Sequence, residues 1–139
     1  MEEMGRRSVF ALGLAAASMP ALASSKAAMA EPYGPDEGKE LASGVRLVEL
    51  GKGQAIIPGY KTVSMIDIVF QPGSNLPNET MQNDMVCHVT DGELRIAQSG
   101  TEFRAKKNHV WTCAKGTEEQ AWNEGEEVAV MRVTDLLPA

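Results

Sequence analysis

Histidine, cysteine and aromatic residues are scarce in this sequence. The 139 residues include two histidines and two cysteines, and only 5% of them are aromatic. The paired Cys/His spacings that mark a zinc module are missing from the sequence. It also lacks a glycine-rich phosphate loop and a Ser-His-Asp signature. These absences exclude the commonest motif-bearing enzyme classes, so function has to be inferred from the fold and its interior.

Basic residues are also few. Lysine and arginine number 13 against 19 acidic residues, which gives a formal net charge of −6. Nucleic-acid binding depends on a basic stripe that neutralises phosphates, and no such stripe is present. Anionic lipid headgroups should likewise repel an acidic domain. We therefore expect a small-molecule ligand as partner rather than a nucleic acid or a membrane surface.

No apolar run is long enough for a membrane span. The longest, residues 9–23, has 15 residues and contains Ser18 and Pro20, whereas a spanning helix needs about 20. Arg6 and Arg7 precede it, and two small-x-small cleavage sequences end at residues 23 and 30. This pattern predicts a signal peptide over residues 1–30, and the arginine pair resembles a twin-arginine export signal. The mature protein would be periplasmic or secreted, with no stable membrane insertion after cleavage.

The remainder of the chain has the pattern of short β-strands. Residues 31–44 contain prolines, glycines and charges without apolar periodicity, which predicts a linker with at most one helical turn. Asp91-Gly92 is a strong hairpin dipeptide, and Ser99-Gly100 marks another turn. Short strands at even spacing predict an all-β sandwich or barrel, here one domain over residues 45–137. The predicted strands are 45–50, 55–57, 61–70, 85–90, 93–97, 110–113, 119–122 and 127–134.

Two spaced motifs resemble those of the cupins, which are small jelly-roll β-barrels. The first cupin motif is Gly, five residues, His-x-His, three or four residues, Glu, six residues, Gly. Gly73, Glu79, Met81, Met85 and Gly92 match this spacing without a gap.

The second cupin motif is Gly, five residues, Pro-x-Gly, two residues, His, three residues, Asn. Asn108, Gly116, Glu119 and Asn123 match it. Asn is a reasonable replacement for glycine because it tolerates a positive φ. The resemblance implies a single cupin-type jelly-roll barrel after the N-terminal signal segment. It also implies a homodimer.

The metal-ligand histidines of the family are replaced in this sequence. In metal-binding cupins, two histidines and a glutamate of the first motif and a histidine of the second motif meet inside the barrel. The matching positions in this sequence are Glu79, Met81, Met85 and Glu119. Imidazole suits the iron, manganese, nickel, zinc or copper of such sites. Three interpretations of the barrel interior remain open, and they leave the existence of an enzymatic activity open as well.

The first interpretation is a barrel without a cofactor that binds a small ligand in its pocket. Met81 and Met85 would fill part of the interior, as flexible methionine does in irregular cores. The two glutamates would lie partly exposed at the mouth, or one would pair with Arg95 or Arg132.

The second interpretation is a copper site. Strand alternation places Met85 and Cys87 on one face, so Met81, Met85 and Cys87 would form a soft cluster beside Glu79 or Glu119. Cu(I) is the ion that thioethers and thiolates favour.

The third interpretation is a metal-free lyase or isomerase. Two interior carboxyl groups push their pKa values apart and so provide an acid and a base. Glu79 and Glu119 are the candidates for these catalytic roles.

The two cysteines, Cys87 and Cys113, are candidates for a disulfide because export would place them in an oxidising compartment. Buried free thiols and a metal or redox role are the alternatives. A disulfide would remove Cys87 as a metal ligand, so these interpretations compete.

Overall fold

The computed structural model describes residues 33–139, which form ten β-strands. Within this range no helix has the length and hydrophobicity to cross a bilayer. The signal peptide predicted for residues 1–30 lies outside the described residues. The strands are β1 Lys39–Ala42, β2 Val45–Gln54, β3 Tyr60–Phe70, β4 Asn75–Thr80, β5 Asp84–Asp91, β6 Glu93–Gln98, β7 Thr101–Lys106, β8 Val110–Cys113, β9 Glu118–Trp122 and β10 Ala129–Pro138.

The strands form two antiparallel sheets that pack face to face. One sheet has six strands in the order β1-β2-β3-β10-β5-β8, and the other has four in the order β4-β9-β6-β7. A single apolar core joins them, because inward residues of both sheets are buried together. The predicted all-β jelly-roll architecture is thereby confirmed. The largest fully buried apolar side chains of this core are Val45, Phe70, Val89, Leu94 and Ile96.

The Asp91-Gly92 turn is a corner between the sheets and not the predicted hairpin. The strands before and after it, β5 and β6, belong to different sheets and do not pair. Gly92 has φ +72°, and a Cβ there would lie 2.8 Å from the carbonyl oxygen of Val128. Only glycine combines this backbone conformation with so close an approach. The glycine that ends the first motif therefore turns the chain from one sheet into the other.

Two other predicted turns are confirmed. Ser99 and Gly100 have φ values of 47° and 87° and join the paired strands β6 and β7, as a two-residue hairpin with two positive φ angles does. Asn108 has φ 75°, which agrees with its replacing a motif glycine.

Some strand predictions were wrong. The segment 31–44, predicted as a linker, contains β1, an edge strand with mostly exposed side chains. Residues 55–57, predicted as a strand, form the connection between β2 and β3, where Ile56 is 92% exposed. The sequence pattern also missed β4 and β7. Hydrophobic alternation fails in such places because an exposed edge strand needs no apolar face and a loop can carry apolar residues.

The outer face of the larger sheet has its own small cluster around a buried ion pair. Asp67 is 1% exposed, and the Arg132 guanidinium on the neighbouring strand donates to both of its carboxylate oxygens at 2.8 and 2.9 Å. The Tyr33 hydroxyl also donates to Asp67. Burial and this bond raise the pKa of Tyr33 to about 12. These contacts attach the segment before β1 to the sheet.

Candidate functional site

A cavity of about 250 Å³ lies inside the barrel. Its wall is mainly apolar, with carboxyl and amide groups at a few points. The apolar lining residues are Leu41, Leu47, Ile66, Ile68, Leu76, Met81, Met85, Cys87, Ala121, Met131 and Val133, and the polar ones are Glu79, Thr80, Gln82, Asn83, Glu119, Gln120 and Asp135.

The five residues predicted for the pocket all line this cavity: Glu79, Met81, Met85, Cys87 and Glu119. Strands β4 and β9 place Glu79 directly opposite Glu119 in the antiparallel register. On β5, Met85 and Cys87 point inward because alternate residues of a strand share a face, and Cys87 is fully buried.

Glu119 is the buried polar group of the cavity wall, with 6% of its surface exposed. Its Oε1 accepts hydrogen bonds from Trp111 Nε1 at 3.1 Å and from the Cys113 thiol at 2.9 Å. Burial raises the pKa of Glu119, and the two hydrogen bonds oppose this only in part. The expectation that Glu119 lies partly exposed at the mouth is therefore wrong, since β9 directs it into the barrel.

Neither arginine considered as a partner for these glutamates reaches the cavity. Arg95 pairs with Glu102 and Glu124 on the outside of the smaller sheet, and Arg132 pairs with Asp67. The strand period explains both positions, because inward residues of β6 and β10 are the immediate neighbours of these arginines in sequence.

Glu79 is exposed at the edge of the cavity. Asp135 is a third carboxyl group of the lining, and burial raises its pKa. Sequence reasoning missed Asp135. The alternation of side chains along β10 could have identified Asp135, since every second residue of a strand lies on the same face and Met131, Val133 and Asp135 share the inward one.

The two cysteines lie on neighbouring strands as two buried, free thiols. The disulfide considered from the sequence is not formed. Cys87 pairs in register with Trp111, and Cys113 with Met85, so the cysteines are diagonal neighbours. Diagonal pairs have Cα atoms roughly 7–8 Å apart, and a disulfide usually needs 4.4–6.8 Å. A hydrogen bond with Cys113, together with burial, raises the pKa of Cys87 far above its usual range.

The four positions that would hold a cupin metal carry donors of the wrong chemistry for it. Glu79 is exposed, and Met81 and Met85 pack against the apolar core. The carboxylate of Glu119 is engaged by a thiol and an indole. One exposed carboxylate, two thioethers and one buried carboxyl group do not fit a centre built on imidazole. A different set of donors converges nearby, namely Cys87, Cys113 and Glu119.

No protein-family model matches the sequence, and no curated protein matches it either. Solved structures do match its fold. The cupin domain of Cnp3 from Schizosaccharomyces pombe is 19% identical with a TM-score of 0.57, over 71% of this chain and 69% of that one. An RmlC-like cupin from Shewanella frigidimarina is 15% identical with a TM-score of 0.58, over 77% and 88%.

A third similar structure is the Cupin_2 domain of an XRE-family transcriptional regulator from Enterobacter cloacae. It is 14% identical with a TM-score of 0.56, over 69% of this chain and 99% of that domain. The three proteins resemble this chain in fold, at sequence identities of 14–19% where only the fold is informative. This chain has the fold of a small cupin domain.

Proposed function

We propose that this domain binds a small, largely apolar molecule, neutral or positively charged, in the barrel cavity. The observation that carries the proposal is the composition of the cavity wall. Among the described residues, those that line the cavity include no lysine, arginine or histidine. The polar part of the wall consists of carboxyl, amide and hydroxyl groups.

The charge of the wall discriminates against anions. A carboxylate or phosphate entering the cavity would lose its hydration without meeting a cation, and it would face Glu79, Glu119 and Asp135. Burying an unpaired charge is strongly unfavourable. Burial raises the pKa values of Glu119 and Asp135, so these groups begin to take up a proton, and with it the ability to donate a hydrogen bond, at a higher pH than an exposed carboxyl group does. A neutral hydroxyl or amine, or an ammonium, is therefore the polar group that fits.

The size of the cavity limits the ligand. Pockets for drug-sized molecules measure roughly 300–1,000 Å³, and this cavity holds about 250 Å³. A ligand with one ring or a short branched chain fits it. Binding would not depend on a metal at the four motif positions.

The test is binding to three probes that share a cyclohexyl ring and differ in the charge of the polar substituent: cyclohexanol, cyclohexylamine and cyclohexanecarboxylate. Calorimetry on the full chain, with a chelator present, should detect the alcohol and the amine and give at least tenfold weaker binding of the carboxylate. Ala121→Leu, which fills the cavity, should abolish binding, with Met85→Phe as a second filling variant. Val110→Leu, on an exposed strand residue, is the control. Equal binding of all three probes, or binding unchanged by both filling variants, would overturn the proposal.

A second candidate function is acid–base catalysis. It is favoured by the register that places Glu79 opposite Glu119. The raised pKa of Glu119 suits a proton donor, and the exposed Glu79 suits a carboxylate base. If a lyase or isomerase activity is found, Glu79→Gln and Glu119→Gln should each remove it. Activity that survives both changes would exclude this candidate.

Export and self-association are further proposals, supported by the N-terminal pattern and by the resemblance to cupins. Fractionation of cells that express the full chain should place a shortened product outside the cytoplasm, and Arg6→Lys with Arg7→Lys should retain it inside. Light scattering should give the mass of a dimer. A cytoplasmic product of full length would contradict export, and a monomeric mass at high concentration would contradict self-association.

A further inference from the structure

Three buried groups of different strands meet at the inner wall of the cavity. The thiols of Cys87 on β5 and Cys113 on β8 and a carboxylate oxygen of Glu119 on β9 all lie within 4.8 Å of one another. Cys87 and Glu119 also line the cavity. We propose that these three side chains bind one Zn(II) ion. Only Glu119 belongs to the four motif positions, so this site is distinct from the metal site that the cupin motifs would predict.

The donor set favours Zn(II). Cysteine sulfur and glutamate oxygen are both ordinary zinc ligands, whereas Cu(I) prefers sulfur alone. Zn–S and Zn–O bonds of about 2.3 and 2.0–2.2 Å put tetrahedral donors roughly 3.6–3.8 Å apart. The Cys113 sulfur and Glu119 Oε1 are 2.9 Å apart, so rotations that move these atoms by about an ångström suffice. Because Cys87 and Glu119 line the cavity, a water molecule or a ligand would reach the ion from that side.

Two nearby hydrogen-bond donors contact the ligand atoms of Cys113 and Glu119. Gln98 Nε2 donates to Cys113 Sγ at 3.0 Å and to the carbonyl oxygen of Thr112 at 2.8 Å, which fixes the amide. Trp111 Nε1 donates to Glu119 at 3.1 Å. Hydrogen-bond donors of this kind orient metal ligands and stabilise their anionic forms.

Metal binding changes the charge of the three ligands. Both thiols lose their protons to solvent when the ion binds, and the double positive charge of Zn(II) compensates the two thiolates. The Glu119 carboxylate adds one further negative charge, which the Trp111 N–H stabilises by its hydrogen bond. Uptake of one ion therefore releases at least two protons, and affinity rises with pH. Without the metal, the hydrogen bond with Cys113 and burial raise the pKa of the Cys87 thiol and so favour its protonated form.

The experiment uses the full chain, expressed without a His tag and reduced with a phosphine. Co(II) replaces Zn(II) as the spectroscopic probe, because thiolate coordination gives a near-ultraviolet charge-transfer band and tetrahedral geometry gives strong visible bands. We expect one Co(II) per chain with both features, and displacement by one equivalent of Zn(II). Loss of a residue that hydrogen-bonds a metal ligand typically weakens metal binding 10–100-fold. Loss of a ligand itself, in Cys87→Ser or Cys113→Ser, should weaken it by at least that factor.

Three further variants distinguish this zinc site from a metal site built on the methionines or the histidines. Gln98→Leu, which removes no ligand, should weaken Co(II) binding about 10–100-fold. Met81→Leu with Met85→Leu changes the same cavity but should leave affinity and spectrum intact, and so should His88→Gln with His109→Gln.

Several results would overturn the proposal: no stoichiometric uptake, uptake without a thiolate band, affinity unchanged in both cysteine variants, or binding of Cu(I) but not of Zn(II) and Co(II). The proposal is independent of the ligand-binding proposal, because the probes are tested with a chelator and the metal is tested without a probe.

Discussion

The ion pair between Asp67 and Arg132 gives the most quantitative prediction. Replacing Arg132 by Met would leave the Asp67 carboxylate, which is 1% exposed, without its two guanidinium hydrogen bonds. Breaking a buried pair in this way costs about 3–5 kcal/mol. The Arg132 side chain is one-third exposed, and water entering its place would reduce the loss to about 2–4 kcal/mol. For a domain of about 100 residues, this lowers Tm by roughly 8–16 °C.

The assay is urea unfolding of wild type and variant at pH 7 and pH 4. Burial alone would raise the pKa of Asp67, but the hydrogen bonds from Arg132 and Tyr33 outweigh burial and lower it. In wild type, the resulting stability is present above the unfolded-state pKa of about 3.9 and is lost as pH falls through the lower folded-state value. In Arg132→Met, burial dominates, so protonation of Asp67 in acid relieves the penalty. The loss should therefore be larger at pH 7 than at pH 4.

A matched control is Arg104→Met. Arg104 is 55% exposed and pairs with Glu93 and Glu124 on the surface, and exposed pairs contribute about 0–1 kcal/mol. Equal losses for Arg132→Met and Arg104→Met, or a loss independent of pH, would refute the reasoning about the buried carboxylate.

Three other changes have definite expectations. Gly92→Ala should lower the free energy of unfolding by at least about 1–2 kcal/mol, because Gly92 has a positive φ and a Cβ there would lie 2.8 Å from the Val128 carbonyl oxygen. Thermal unfolding measures this loss, and an unchanged stability would contradict the close approach. Asn123→Ala should lower the free energy of unfolding by about 2–3 kcal/mol, because the buried Asn123 amide donates a hydrogen bond to the Phe70 carbonyl oxygen at 3.0 Å. A smaller loss in chemical denaturation would show that water replaces the amide. Burial raises the pKa of Glu119, so wild-type stability should fall as pH rises above the unfolded-state value of about 4.3. Glu119→Gln should therefore be more stable relative to wild type at pH 7 than at pH 4, and the opposite trend in urea unfolding would show that the ionised carboxylate is favoured.

Much of the fold follows from local signals. Alternating β-branched and apolar residues identified β3 and β5, and glycine or asparagine marked turns at Ser99-Gly100 and Asn108, where φ is positive. Local signals did not reveal sheet membership. Asp91-Gly92 has the composition of a hairpin, but it joins the two sheets, because pairing depends on strands that are distant in sequence.

The motif spacing and strand alternation identified five pocket residues in the sequence, and the structure places all five at one cavity. Spacing could not show that Glu119 is buried beside a thiol while Glu79 is exposed. The two residues are register partners, so their side chains share a face of the sheet. Glu79 is the exposed one because β4 is the edge strand of the smaller sheet, whereas β9 has a strand on each side.

The sequence by itself determined an acidic, all-β domain with cupin-like spacing and no histidine at the motif positions, because composition and residue period are local properties. Tertiary structure alone decided that Cys113 lies beside Cys87 and Glu119 at the cavity wall and that neither Arg95 nor Arg132 reaches the cavity. These contacts link residues on three strands from both sheets. Only the packing of one sheet against the other sets the distances between them.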